Sequence, residues 1–122
     1  MPGTNDSVFS IQNIINSDGK VDATVVVNEN SEILKGHFPS QPVVPGACML
    51  QLVKDVLERA VERRLQLKKA NNIKFMNMIV PKDEGELRLD ISYKITEDNS
   101  FAVQVNLLKG DLVCFKFQGI LV

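Results

Sequence analysis

The chain has 122 residues, 44% of them apolar and 24% charged, with 14 Lys+Arg against 15 Asp+Glu and a net charge of −1. That is the size and make-up of one domain, residues 1–122, with enough apolar material for a packed core, so disorder, collagen-like repeats and a disulfide scaffold are excluded. Scattered Lys and Arg offer nucleic acid no cationic surface. No apolar run is long enough for a membrane span and the N-terminus has no leader pattern, so a cytosolic protein with no nucleic-acid or membrane partner is expected.

In chain order, Val8-Phe9-Ser10-Ile11 and Ile14-Ile15 form an apolar segment closed by Asn16-Ser17-Asp18-Gly19, a strong turn signal that predicts a hairpin. Residues 21–27, rich in β-branched side chains, predict its second strand. Residues 28–36 read as a polar loop with a helical turn around Ser31-Glu32-Ile33-Leu34. Pro39, Pro42 and Pro45 follow at a spacing of three, which predicts a rigid extended loop.

From residue 46 to about 66 there is no proline or further glycine, and Met49, Val53, Val56 and Ala60 recur at helical spacing, so this is the one long helix. Its first half is apolar nearly all round and is expected to be buried. Its second half, with Glu58, Arg59, Glu62, Arg63 and Arg64, is expected to be half-exposed. Ile73-Lys74-Phe75 then precedes three strand-like runs at 87–95, 101–107 and 113–117, joined by short turns, which predict an antiparallel meander. A helix among antiparallel strands is an α+β arrangement with the sheet wrapped around the helix. Pattern alone leaves strand order open, and pairing of sheet edges across a two-fold axis would protect a small sheet.

Two cysteines, Cys48 and Cys114, and one histidine, His37, leave no metal-ligand spacing and no phosphate, flavin or nicotinamide fingerprint, so no metal and no bound cofactor are expected. Both cysteines read as reduced thiols. Cys48, near the helix start, has no accompanying base and reads as a small buried hydrophobe rather than a nucleophile.

Gly36-His37-Phe38-Pro39-Ser40-Gln41-Pro42-Val43-Val44-Pro45-Gly46 carries the chemistry. Pro45-Gly46 at a helix start leaves the Gly46 N–H without an intrahelical partner, with the positive end of the helix dipole behind it. Such a donor suits a thioester carbonyl oxygen that gains charge when an α-proton is removed. Glycine also admits a close approach. His37 has the side chain whose ordinary pKa lies nearest neutrality, fitting it to act as base and then acid.

The segment resembles the G-H-F-P-x-x-P-x-x-P-G signature of the hotdog-fold 3-hydroxyacyl-acyl carrier protein dehydratases. Seven fixed positions match, a coincidence on the order of 10⁻⁹ at average residue usage. The resemblance covers most of the chain, with Lys82 replacing glycine in the Pro-Gly-Asp the family usually has after the strand that follows the helix. It implies a hotdog fold, His37 as base, and an active site built across a dimer interface with an acyl thioester on acyl carrier protein as substrate. Phe38, Val44, Pro45, Met49 and Leu50 are then candidate acyl contacts.

The family pattern has Glu or Asp fourteen residues after the histidine, and this chain has Gln51. A carboxamide can hydrogen-bond a hydroxyl but cannot give up a proton near pH 7. Asp55, one turn on, is the nearest substitute acid, although an i,i+4 pair with Arg59 is the favoured account of it. Three activities stay open: dehydration with Gln51 only orienting the hydroxyl; a non-catalytic or heterodimer-forming hotdog subunit whose partner supplies the acid; and, lower, thioester hydrolysis using Asp55.

Overall fold

The computed structural model describes residues 8–28, 44, 46–80 and 85–122. Strands β1 (Phe9–Asn16) and β2 (Lys20–Val27) precede a helix, α1 (Gly46–Val61); β3 (Leu67–Phe75), β4 (Glu86–Ile95), β5 (Phe101–Lys109) and β6 (Leu112–Leu121) follow. All six strands join one antiparallel sheet in the order β1-β2-β4-β5-β6-β3. The hairpin and the β4-β5-β6 meander fall where turn chemistry and period-two alternation predict them. Of the expected polar loop at 28–36 only Asn28 is described; its helical turn, and the three-proline segment apart from Val44 and Gly46, lie outside the described residues.

Alternation explains how the sheet buries one face. Val21, Ala23, Val25 and Val27 on β2 and Leu87, Leu89 and Ile91 on β4 point inward, with Val103, Val105 and Leu107 on β5 continuing the same layer. Asp22, Arg88 and Gln104 face outward. Against the apolar face lies α1, which contacts β1, β2 and β4 and inserts Met49, Leu52, Val53, Val56 and Leu57. Burying such a side chain is worth about 1.5–3 kcal/mol, so this stripe, rather than helix propensity, holds α1 in place.

Three expectations need correction. The helix stops at Val61 rather than near residue 66: Glu62 adopts a left-handed φ of 55°, and the Arg63 N–H turns back to the Glu58 carbonyl at 3.3 Å, a Schellman-type cap. Glu58 also accepts the Leu65 N–H at 2.8 Å, which draws Leu65 into the core. Second, the apolar first half of α1 is buried on one side only, because Ala47 and Gln51 face away from the sheet. Third, β3 begins at Leu67, six residues before the Ile73-Lys74-Phe75 run. Its polar Lys68-Lys69-Ala70-Asn71-Asn72 stretch forms a strand because β6 supplies a hydrogen-bonding edge, not because of its own residues. Every residue of β3 is exposed, and it stands at one edge of the sheet.

Candidate active site

The N-terminus of α1 meets the end of β3 at a cleft of about 230 Å³ lined by Val44, Gly46, Met49, Phe75, Met76, Asn77 and Met78. Several backbone bonds hold its walls. The Val44 N–H donates to the Ile79 carbonyl at 3.0 Å, and the Met76 and Asn77 N–H groups both donate to the Cys114 carbonyl, at 2.8 and 3.2 Å. Asn77 Nδ2 adds a bond to the Val113 carbonyl at 2.7 Å. The chain leaving β3 is thereby strapped to the start of β6, with the side chains of Phe75, Met76 and Met78 lining the cleft. Phe75 and Met78 are 57% and 69% exposed, which marks a surface suited to covering by a ligand or another chain.

Of the residues singled out from the sequence, Val44, Gly46 and Met49 come together here. Val44 and Met49 are buried, so they close the inner wall, and as the first residue of α1 Gly46 presents an N–H with no partner inside the helix. Leu50 is half-buried against the core and does not line the cleft. His37, Phe38 and Pro45 lie outside the described residues.

Gln51 and Asp55 lie on the face of α1 turned away from the sheet, where Gln51 Nε2 donates to Asp55 Oδ1 at 2.8 Å. The expected Asp55–Arg59 pair is therefore replaced by an amide–carboxylate bond, and Glu58 pairs with Lys54 at 3.9 Å. Cys48 is half-buried, and burial pushes its thiol above the ordinary value. That is the opposite of an activated nucleophile and agrees with its reading as a small apolar residue.

Phe75, Met76, Asn77 and Met78 were not singled out as site residues from sequence. The only local signal was an apolar run after Ile73, and nothing in it places Phe75 beside a glycine 29 positions earlier. The contact is close: a Cβ on Gly46 would come within 2.5 Å of Phe75 Cζ. Phe75 in turn rests on the buried ring of Phe115, with centroids 5.4 Å apart. A side chain at position 46 would therefore push the exposed Phe75 ring aside.

Among the described residues one helix packs on a six-stranded antiparallel sheet, the arrangement of the hotdog fold. The ApeI-like family, described as ApeI dehydratase, matches residues 13–114, and the chain belongs to that family. Among curated proteins it is similar to the 3-hydroxyacyl-acyl-carrier-protein dehydratase FabZ of Bartonella bacilliformis, 31% identical over 103 residues that cover 75% of this chain and 66% of that protein. The FabZ of Clostridium acetobutylicum is 29% identical over 72 residues, 53% of this chain and 51% of that protein, so the chain spans about half to two thirds of the length of these relatives. In fold it is similar to the dehydratase heterocomplex ApeI:P from Xenorhabdus doucetiae, with a TM-score of 0.74, 16% identity, and coverage of 92% of this chain and 96% of that one. Among the described residues no helix is long and apolar enough to cross a membrane.

Proposed function

We propose that this protein is a 3-hydroxyacyl-acyl carrier protein dehydratase-like subunit of the cytosol that acts on acyl thioesters in fatty-acid-type biosynthesis. In this reading the Gly46 N–H stabilises the thioester oxygen as negative charge develops, His37 removes the α-proton, and Gln51 meets the β-hydroxyl. The acyl chain lies against Phe38, Val44, Pro45 and Met49. Loss of the α-proton and of hydroxide, the latter taking a proton to leave as water, gives the 2-enoyl thioester. The observation that carries the reading is the helix N-terminus of Gly46 opening on an apolar cleft, in a chain whose sequence has Gly-His-Phe-Pro at 36–39. Oxyanion donors of this kind are worth about 10²–10³ in rate.

A second reading is favoured by two observations. Gln51 stands where the family carries an acid, and β3 is a fully exposed edge strand beside the exposed Phe75, Met76 and Met78. An unpaired edge next to an apolar patch suits strand pairing with a second hotdog chain, either a copy of itself or a subunit that brings the missing carboxylic acid.

Purified protein incubated with a 3-hydroxyacyl thioester on acyl carrier protein tests both. Water loss that His37→Ala lowers by about 10²–10⁴ supports the enzyme, and a large gain on Gln51→Glu shows that only the acid was missing. Activity appearing only with a co-purifying hotdog subunit supports the heterodimer. Release of free acid would replace both readings with hydrolysis.

A further inference from the structure

The Gln51–Asp55 bond fixes more than a side-chain position. An ionised carboxylate has no proton to give, so the amide must turn its nitrogen toward Asp55, and the 2.8 Å contact is from Nε2. Because the amide is planar, Oε1 occupies the branch away from Asp55, and among the described residues no donor reaches it. We propose that Asp55 is a positioning residue that makes Gln51 a hydrogen-bond acceptor toward substrate, so that the site selects acyl thioesters carrying a hydroxyl at the third carbon over the 3-oxo thioesters of equal length. This rests on the reading of Gln51 as the group that meets the β-hydroxyl.

The selectivity follows from donors and charge. A 3-hydroxyl has a proton to give to Oε1. A 3-oxo group is acceptor-only and must seek the remaining N–H of Gln51, where its partial negative charge also faces the Asp55 carboxylate. Gln51 is exposed and Asp55 half-exposed in the single chain, so the preference is that of one ordinary hydrogen bond rather than of a sealed pocket, about three- to tenfold in affinity. Asp55 touches no substrate atom in this arrangement. It acts only through the orientation of its neighbour one turn earlier, and it differs in this from a substitute general acid.

The test is calorimetric titration of the full-length protein with 3-hydroxyacyl- and 3-oxoacyl-pantetheine thioesters of matched chain length, for wild type, Asp55→Ala, Asp55→Asn and Gln51→Leu. Wild type is expected to bind the 3-hydroxy compound about three- to tenfold more tightly. Asp55→Ala should bring the ratio close to one, chiefly by tightening the 3-oxo compound. Asp55→Asn, which can still accept from Nε2 but carries no charge, should keep part of the preference, a rescue that a merely structural role would not give. Gln51→Leu should abolish it. A ratio unmoved by Asp55→Ala while Gln51→Leu removes it overturns the positioning role alone. A ratio unmoved by Gln51→Leu overturns the assignment of Gln51 as a substrate contact, and no saturable binding of either thioester overturns the acyl-thioester reading and this proposal with it.

Discussion

The two ends of α1 are built on different principles. At its C-terminus, polar groups tie four elements together. Asn16 Nδ2 donates to the Ala60 carbonyl at 3.0 Å, the Tyr93 hydroxyl donates to Asn16 Oδ1 at 3.2 Å, and Arg63 stacks 5.1 Å over the Phe101 ring while reaching the Asn99 carbonyl at 3.4 Å. Gln66 and Val122 exchange both backbone bonds, at 2.8 and 2.9 Å. At its N-terminus the helix instead faces a cleft with exposed Phe75, Met76 and Met78. One end closes the barrel-like wrap of sheet on helix; the other leaves apolar surface uncovered. In a small fold, the hydrogen-bonded closure and the uncovered apolar surface thus sit at opposite ends of the same helix.

Substitutions at the two ends should separate these roles. The largest effect is expected from Leu65→Ala at the closed end, where a fully buried side chain is replaced by a cavity. Urea unfolding should show a loss of about 2–5 kcal/mol, whereas Met78→Ala at the open end should stay within about 0.5 kcal/mol and register in self-association by sedimentation instead. Equal losses at both ends would erase the distinction.

Next comes Gly46→Ala, whose methyl would enter the Phe75 ring. Because the exposed ring can turn aside, the cost should be no more than about 1 kcal/mol, the low end for overpacking, and it should vanish in a Phe75→Ala background, a coupling that a double-mutant cycle reads directly. A smaller effect of opposite sign is expected from Glu62→Gly, which relieves a non-glycine residue of its left-handed φ of 55° and should stabilise by about 0.5–1 kcal/mol.

The smallest expected effect concerns pH at the closed end. Hydrogen bonds from the Thr96 hydroxyl and Ser100, helped by Lys68 at 3.8 Å, lower the Asp98 carboxyl from 3.8 to about 2. Because the folded value is depressed, the stability it contributes is present above about pH 4 and is lost as pH falls through about 2. Thermal unfolding of wild type and Asp98→Asn should therefore converge over that interval, and a gap that widens on acidification would contradict it.

Much of this was legible in the residues themselves. The Asn16-Ser17-Asp18-Gly19 turn, the inward alternation of β2 and β4 and the Met49–Val53–Val56 stripe each carry a local period that only one element satisfies. The Gly46 end of the helix was legible too, since proline and glycine mark a helix start chemically. Three features were not. The polar half of β3 is a strand only because β6 offers it partners, the end of α1 at Glu62 depends on the Glu58 side chain turning back to Leu65, and Phe75 reaches Gly46 only through the fold.

What the sequence determined unaided is which of the described elements form and which segment bears the dehydratase-like signature, because turn preference, hydrophobic period and a short motif are properties of neighbours in the chain. Tertiary structure alone decided the strand order β1-β2-β4-β5-β6-β3 and the walls of the cleft. Those depend on which groups compete for one another once distant segments are packed, and no local pattern encodes the outcome of that competition.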